Sequence, residues 1–164
     1  MALIGPVVLD TSMSVAAFDC ADDALNRWLR ERGLSNNSGG ASRTWVVTED
    51  SAVVAFYASG VGQVVHAESA GKFRRNQPDP LPCVLLARLA VDGKYQHRGI
   101  GAALVRHFLL KSLEVAAVVG VRLVVVHAKS PEAASFYEGF GFSASPIDPL
   151  VLHLLIRDIA ASLR

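Results

Sequence analysis

The sequence predicts an α+β fold with a central mixed β-sheet flanked by helices. Residues 83–91 and 121–127 are apolar and β-branched, which is typical of largely buried strands, and helix signals follow each of them. Residues 44–48 and 52–65 instead form two consecutive strand-like stretches around the turn 49–51. Because strands precede and follow helices without strict alternation, a mixed sheet is expected.

Local sequence signals predict a strand, a helix, a loop and a long connection in the N-terminal half. Residues 6–9 predict a short strand, and residues 22–34 predict a helix with its apolar residues on one side. The polar, glycine-containing stretch 35–40 indicates a loop by composition. Residues 70–82 contain prolines and several charged residues, so they predict a long irregular connection, and such loops often carry function.

The C-terminal half predicts two helices and a final strand. Ser130 can cap a short helix that has Pro131 at its first position and ends at Gly139. Residues 145–149 indicate a rigid turn, and residues 150–156 a last apolar strand. A longer helix after residue 99 is predicted by an apolar stripe at i, i+3, i+4 and i+8, formed by Val105, Phe108, Leu109 and Leu113.

Length and composition limit the class of protein. The 164 residues, 51% of them hydrophobic, predict a single globular domain over residues 1–164. The net charge of +1 argues against a uniformly basic nucleic-acid-binding protein. Charge is nevertheless concentrated between Lys72 and Arg98, where six positive and two negative residues give a local charge of +4. The remainder of the chain is therefore net negative.

Cysteine use and hydropathy predict a reduced, cytoplasmic protein. Cys20 and Cys83 lie far apart in sequence and in no metal-ligand spacing. Residues 1–9 are apolar but lack the basic start and the length of a signal peptide. The longest apolar region, near residues 108–126, is interrupted by charged side chains, so no membrane span is expected.

Residues 96–101, which we call the glycine loop, read Gln-His-Arg-Gly-Ile-Gly between a strand with its turn and a helix. A helix start offers unpaired backbone N–H groups and a positive dipole end, and Arg98 adds a fixed charge, so this is a candidate anion site. Leu104 stands where a dinucleotide fingerprint has its third glycine, and the Gly-Lys-Ser/Thr of a P-loop is absent. The alternative is that both glycines only ease a tight turn.

The spacing Gln-x-x-Gly-x-Gly resembles the acyl-CoA pyrophosphate loop of the GNAT superfamily of N-acetyltransferases. Residues 130–142 also resemble a segment of this family, its Asn-x-x-Ala-x-x-x-Tyr run with a Phe-Gly-Phe ending, although Ser130 replaces the usual Asn. The resemblance implies the GNAT fold, acetyl-CoA as cosubstrate and no metal. It implies that the backbone of Leu89, Ala90 and Val91 binds the pantetheine arm and polarises the thioester. Further cofactor contacts are implied for Gln96, His97, Arg98, Gly99, Ile100, Gly101, Ser130, Ala133 and Phe136.

The same resemblance implies that Tyr137 is catalytic and donates a proton to the departing sulfur. A tyrosine with a pKa of about 10 is protonated at neutral pH and able to donate. The alternative is a core aromatic, the commoner fate of an aromatic residue on a helix. Adjacent helix residues point in different directions, so we assign Phe136 to packing and Tyr137 to the site. No general base is evident, but an α-amino acceptor, with a pKa near 7.7 to 8.0, would need little help.

Across nearly the whole chain, segments such as 18–20, 24–29, 41–44, 78–80, 86–91 and 145–149 resemble the TacT-type tRNA-acetylating toxins of type II toxin–antitoxin systems. This implies acetylation of the α-amino group of aminoacyl-tRNA, inhibition of translation, a homodimer and a ribbon-helix-helix antitoxin. Candidate tRNA-binding residues are Lys72, Arg74, Arg75, Arg88 and Lys94, and the alternative is an ordinary solvated surface.

Two other functions remain open from the sequence. One is a GNAT N-acetyltransferase acting on a peptide, a small amine or an antibiotic. The other is a non-catalytic module that binds CoA or an antitoxin, which the serine at position 130 favours. The intact glycine loop and Tyr137 argue against a non-catalytic module.

Overall fold

The computed structural model describes residues 2–163, which contain a seven-stranded mixed sheet flanked by helices. This architecture confirms the predicted α+β fold. The strands are β1 (Leu3–Val8), β2 (Arg43–Glu49), β3 (Ala52–Val64), β4 (Leu81–Val91), β5 (Leu123–His127), β6 (Ser143–Ala144) and β7 (Val151–Leu155). The α-helices are α1 (Asp23–Trp28), α2 (Leu34–Gly39), α3 (Gly71–Arg74), α4 (Ile100–Ala116), α5 (Pro131–Glu138) and α6 (Ile159–Ser162).

The sheet has the strand order β1-β2-β3-β4-β5-β7-β6. Strands β4 and β5 pair in parallel, with Cys83 opposite Leu123 and Leu86 opposite Val126. The pairs β1–β2, β2–β3, β5–β7 and β6–β7 are antiparallel. No helix among residues 2–163 is long and apolar enough to cross a membrane.

The chain forms two compact units. One comprises the residues up to Gly60 together with Ala87–His107, and the other comprises Val61–Leu86 together with the residues from Phe108 onwards. The core of the first unit includes Leu9, Phe18, Leu29, Val46, Val53 and Phe56. The core of the second includes Val64, Phe73, Leu81, Leu123, Val125 and Leu155. That the whole chain acts as one domain stays a prediction.

In the first unit, the helical segment is longer than the sequence indicates. The Asp22 carboxylate caps α1 by accepting the N–H groups of Ala24 and Leu25. A π-helical turn over Leu29–Gly33 then connects α1 to α2, and Gly40 ends α2 with a φ of 80°. The prediction of a loop over residues 35–40 is therefore wrong.

Asn37 gives the physical reason for this difference. Its buried side chain donates to the Leu9 carbonyl at 3.2 Å and accepts from the Thr44 N–H and from Arg43 Nη1, both at 3.1 Å. These partners lie on other segments, so a composition that is typical of loops here supplies long-range hydrogen bonds. Local propensity could not reveal them.

The other long polar connection also contains regular structure. Residues 70–82 were expected to be irregular, but α3 occupies Gly71–Arg74 and β4 begins at Leu81. Phe73 is 1% exposed and belongs to the core of the second unit. Burial of this ring gives the short helix a tertiary anchor that composition does not indicate.

His153 on β7 is the most unusual buried group of the second unit. It is 1% exposed, and neither ring nitrogen has a hydrogen-bond partner among the described residues. Its ring meets the Phe73 ring edge-on at 5.5 Å. Burial and, to a smaller extent, the electrostatic effect of His127 lower the pKa of His153 to about 4. The side chain is therefore neutral at pH 7.

We expect Asn37→Ala to lower the free energy of unfolding by about 2 to 3 kcal/mol, because it leaves buried backbone groups without partners. Asn36→Ala is the matched control, since the Asn36 side chain makes no hydrogen bond among residues 2–163 and should cost at most about 0.5 kcal/mol. Urea unfolding measures both variants. Equal stabilities of the two variants would contradict the role of Asn37.

We expect His153→Leu to remove a pH dependence of stability. The unfolded chain takes up a proton near pH 6.5, whereas folded His153 resists it down to about pH 4. The parent protein should therefore lose up to about 3 kcal/mol as pH falls through this window, and the variant should not. Urea unfolding between pH 7.5 and 4.5 measures the difference, and parallel curves for parent and variant would contradict it.

Candidate active site

The turn before the glycine loop is fixed by the buried carboxylate of Asp92, at the end of β4. This carboxylate accepts the N–H groups of Asp19 at 3.0 Å and Lys94 at 2.9 Å. The Asp92 N–H donates to the Val54 carbonyl, and the Gly93 N–H donates to the Asp19 carbonyl. The end of β4 and the start of the turn are therefore held against two other segments of the first unit.

The glycine loop lies between this turn and α4. Its residues 96–99 are exposed, and α4 begins at Ile100, where the first N–H groups lack intrahelical acceptors. Gly99 has a φ of 80°, and a side chain there would meet no atom within 4 Å. The loop therefore leaves open space beside unpaired backbone donors, which is the arrangement that an anion requires.

Two polar side chains of the loop are oriented by their neighbours. Gln96 Nε2 donates to the Val91 carbonyl at 3.0 Å, so this side chain ties the loop back to β4. The guanidinium of Arg98 lies 5.1 Å from the centre of the Tyr95 ring. Tyr95 in turn donates to Glu49 Oε1 at 2.6 Å, and this bond raises the pKa of Tyr95. Arg98 is thus an exposed cation that lies over the Tyr95 ring, and the hydrogen bond to Glu49 holds that ring in place.

In the second unit, Ser130 and Pro131 begin α5 as predicted. Ser130 Oγ accepts the N–H of Ala133 at 3.1 Å, and Pro131 occupies the first helical position. The helix ends at Glu138, with Gly139 as its C-cap, which confirms the predicted boundary. The Ser130 hydroxyl therefore has a structural role at the position where the family has asparagine.

Tyr137 on α5 is 6% exposed, whereas Phe136, which we assigned to packing, is 37% exposed. The Tyr137 ring meets Phe136 edge-on at 5.2 Å and Phe142 at 6.0 Å. Its hydroxyl makes no hydrogen bond among the described residues, and burial raises the pKa of Tyr137. The hydroxyl is therefore protonated at neutral pH, on a ring that packs against Phe136 and Phe142.

The predicted cations fall into two groups. Arg88 and Lys94 belong to the first unit, where the Arg88 guanidinium stacks 4.5 Å above the Trp28 ring and is half-buried. Burial lowers the pKa of Arg88, although a guanidinium remains charged at neutral pH. Lys94 is exposed. Arg88 therefore packs against Trp28 and is also one of the candidate tRNA-binding residues.

The other three cations lie in residues 71–75 of the second unit, which we call the basic turn. Lys72, Arg74 and Arg75 are exposed. Arg74 Nη1 donates to the His66 carbonyl at 3.0 Å, so part of its guanidinium supports the chain. The Lys72 ammonium lies 5.1 Å from the Phe73 ring centre. The Arg75 side chain makes no hydrogen bond or ion pair among residues 2–163.

Sequence reasoning missed the groups that support these segments. Asp92 precedes a glycine, and this Asp-Gly pair is a turn signal that could have indicated its local role. The Tyr95–Glu49 hydrogen bond joins residues 46 positions apart, and no local pattern marks it.

Among the residues that the structure describes, no group of three or more His, Cys, Asp or Glu side chains is placed to hold a metal.

Comparison with known proteins gives three consistent findings. Residues 40–144 match the family described as acetyltransferase (GNAT) domain. The chain is 45% identical over 147 residues to a tRNA-acetylating toxin of Mycobacterium tuberculosis (strain ATCC 25618 / H37Rv), covering 90% of this chain and 89% of that protein. The structure is also similar to AtaT complexed with acetyl-methionyl-tRNAfMet, with a TM-score of 0.87, 23% identity and 99% of each chain covered.

A tyrosine-to-phenylalanine mutant of KacT has the same fold, with a TM-score of 0.84, 23% identity and 92% of each chain covered. At these identities the two solved structures support the fold alone. The family match spans well over half of the chain, and the M. tuberculosis relative is similar over nearly all of it. The chain is therefore an acetyltransferase that belongs to the GNAT family.

Proposed function

We propose that this protein is a toxin that transfers an acetyl group from acetyl-CoA to the α-amino group of aminoacyl-tRNA and thereby blocks translation. The observation that carries this proposal is the 45% identity, over 90% of the chain, to a tRNA-acetylating toxin. The exposed basic turn adds a feature that a tRNA substrate would use, because phosphate contacts supply much of the affinity for nucleic acids. A small amine would have no use for it.

The glycine loop fits the pyrophosphate of acetyl-CoA. The open space at Gly99, the free N–H groups at the start of α4 and the supported Arg98 are complementary to a double phosphate. We assign the pantetheine arm to the backbone of Leu89, Ala90 and Val91. The remaining proposed cofactor contacts are Gln96, His97, Ile100, Gly101, Ser130, Ala133 and Phe136.

Acetyl-CoA supplies the acetyl group as a thioester. The amine nitrogen forms the new carbon–nitrogen bond as the carbon–sulfur bond breaks, and we assign to Tyr137 the donation of its hydroxyl proton to the departing sulfur. The nitrogen then releases its surplus proton to solvent, and the tyrosinate takes a proton back from solvent. A raised pKa keeps this hydroxyl protonated, and no hydrogen-bond partner among residues 2–163 competes for its proton. An α-amino group with a pKa of about 7.7 to 8.0 is at least about half neutral at pH 8, which reduces the need for a general base.

We assign the phosphates of the tRNA to Lys72, Arg74, Arg75, Arg88 and Lys94. The exposed charged groups of Lys72, Arg75 and Lys94 are the better candidates for direct contact with phosphate. Arg74 already donates a hydrogen bond to the His66 carbonyl, and Arg88 already stacks on the Trp28 ring. We further propose that the protein works as a cytoplasmic homodimer and is neutralised by a ribbon-helix-helix antitoxin. Co-purification with the product of a neighbouring gene would test the last point.

The first experiment is transfer of labelled acetyl from acetyl-CoA to total charged bacterial tRNA, with deacylated tRNA as control. Label only on charged tRNA is the expected result. Label on a peptide, a small amine or an antibiotic but not on tRNA would instead support an ordinary N-acetyltransferase. Cofactor binding without transfer to any acceptor would support a non-catalytic module.

We expect Tyr137→Phe to keep acetyl-CoA affinity and to lower turnover by a factor of roughly 10² or more, because only the proton donor is removed. Tyr57→Phe is the matched control: it removes a hydroxyl that bonds His107 in the first unit and should retain turnover. Single-turnover transfer and cofactor titration measure the two effects. Undiminished turnover of Tyr137→Phe would remove this residue from the mechanism.

We expect the double variant Lys72→Gln/Arg75→Gln to weaken binding of charged tRNA and to reduce the slope of log K against log salt by about 1 to 2. The control is Arg106→Gln/Arg157→Gln, which removes the same charge from exposed positions outside the basic turn. Measurements of tRNA binding between about 50 and about 200 mM salt distinguish the two double variants. Identical slopes for the two double variants would argue against contact at the basic turn.

A further inference from the structure

The basic turn is too short to be stable by itself. Its helix α3 has four residues, a single turn, and isolated helices of this length do not persist in water. The four carbonyls of such a turn also need hydrogen-bond donors. The Gly71 carbonyl accepts the N–H of Arg75 at 3.0 Å, and the Arg74 carbonyl accepts the N–H of Gln77 at 3.1 Å. Two carbonyls remain, those of Lys72 and Phe73.

Arg122 supplies both missing donors. Its Nε donates to the Phe73 carbonyl at 2.8 Å, and its Nη2 donates to the Lys72 carbonyl at 3.1 Å. The planar guanidinium fork thus spans two successive carbonyls of α3, which a single ammonium group could not do in the same geometry. With these bonds, all four carbonyls of the helix are paired.

The backbone of Arg122 is itself fixed to the sheet. Its N–H donates to the Pro82 carbonyl at 2.9 Å, and its carbonyl accepts the N–H of Ile156 at 3.2 Å. Arg122 directly precedes β5. The basic turn is therefore held by the buried Phe73 ring and by the side chain of Arg122, whose backbone bonds strand β4 and the residue that follows β7.

We propose that Arg122 is the positioning residue of the tRNA-binding surface: it holds the basic turn so that Lys72 and Arg75 meet the phosphates of the substrate. This inference rests on the proposed function. Phosphate contacts fix the register of a nucleic acid, and a turn that is already ordered loses less entropy on binding than a mobile one. Arg122 acts through the turn, because its two hydrogen-bonding nitrogens face protein carbonyls.

The test compares Arg122→Gln with Arg157→Gln, which removes the same charge from an exposed site in the second unit. We expect Arg122→Gln to raise the Kd for charged tRNA by about tenfold through loss of pre-ordered phosphate contacts, and Arg157→Gln to leave it nearly unchanged. Acetyl-CoA affinity and turnover at saturating tRNA should be retained. The amides of Phe73 and Arg75, which donate to the Ala70 and Gly71 carbonyls, should exchange hydrogen faster in Arg122→Gln.

Two further variants separate positioning from charge. Arg122→Lys keeps the charge but not the fork, so it should bind tRNA as weakly as Arg122→Gln. In a chain that already carries Lys72→Gln/Arg75→Gln, adding Arg122→Gln should cause no further loss, because residues that act through one another are not additive. Full rescue by lysine, or an undiminished additional loss, would overturn the positioning role.

The outcomes also separate this inference from the proposed function. A parent protein that fails to bind charged tRNA would overturn the proposed function and the substrate assigned to the basic turn. A parent protein that binds it, together with an equally competent Arg122→Gln, would overturn only the role of Arg122. Unchanged exchange of the Phe73 and Arg75 amides in Arg122→Gln would overturn the claim that this side chain orders the turn.

Discussion

The buried carboxylate of Asp92 provides the interaction on which the glycine loop depends. It accepts two backbone N–H groups from separate segments, and charge-assisted bonds of this kind are among the stronger ones in proteins. Because β4 ends there, the carboxylate fixes where the strand stops and how the chain enters the glycine loop. Gln96 ties the loop to the Val91 carbonyl, and the Tyr95–Glu49 pair supports Arg98.

In the second unit a charged side chain also satisfies backbone groups of an exposed segment, but its charge has the opposite sign. There the groups that need partners are carbonyls, and the side chain that meets them is a guanidinium instead of a carboxylate. In both units a short, exposed candidate segment is held by the charged side chain of a residue that directly adjoins a strand. A site on loops can be well ordered when its backbone groups are satisfied in this way.

Much of the architecture followed from local signals. The strand β4, the amphipathic α4 and the boundaries of α5 were predicted because hydrophobic periodicity, a serine cap, a proline and a glycine act within a few residues. The glycine loop and Tyr137 were recognisable by their spacing. The helical residues 35–39 were missed, because Asn37 bonds Leu9 and Thr44 rather than its own neighbours.

The sequence by itself determined most of the elements, the family and the candidate residues, since each depends on residue types at fixed short spacings. Only the tertiary structure decided what surrounds those residues. It placed Arg88 on Trp28, left Phe136 more exposed than Tyr137 and brought Arg122 to the basic turn. These contacts join residues far apart in the chain or depend on burial, so no local pattern encodes them.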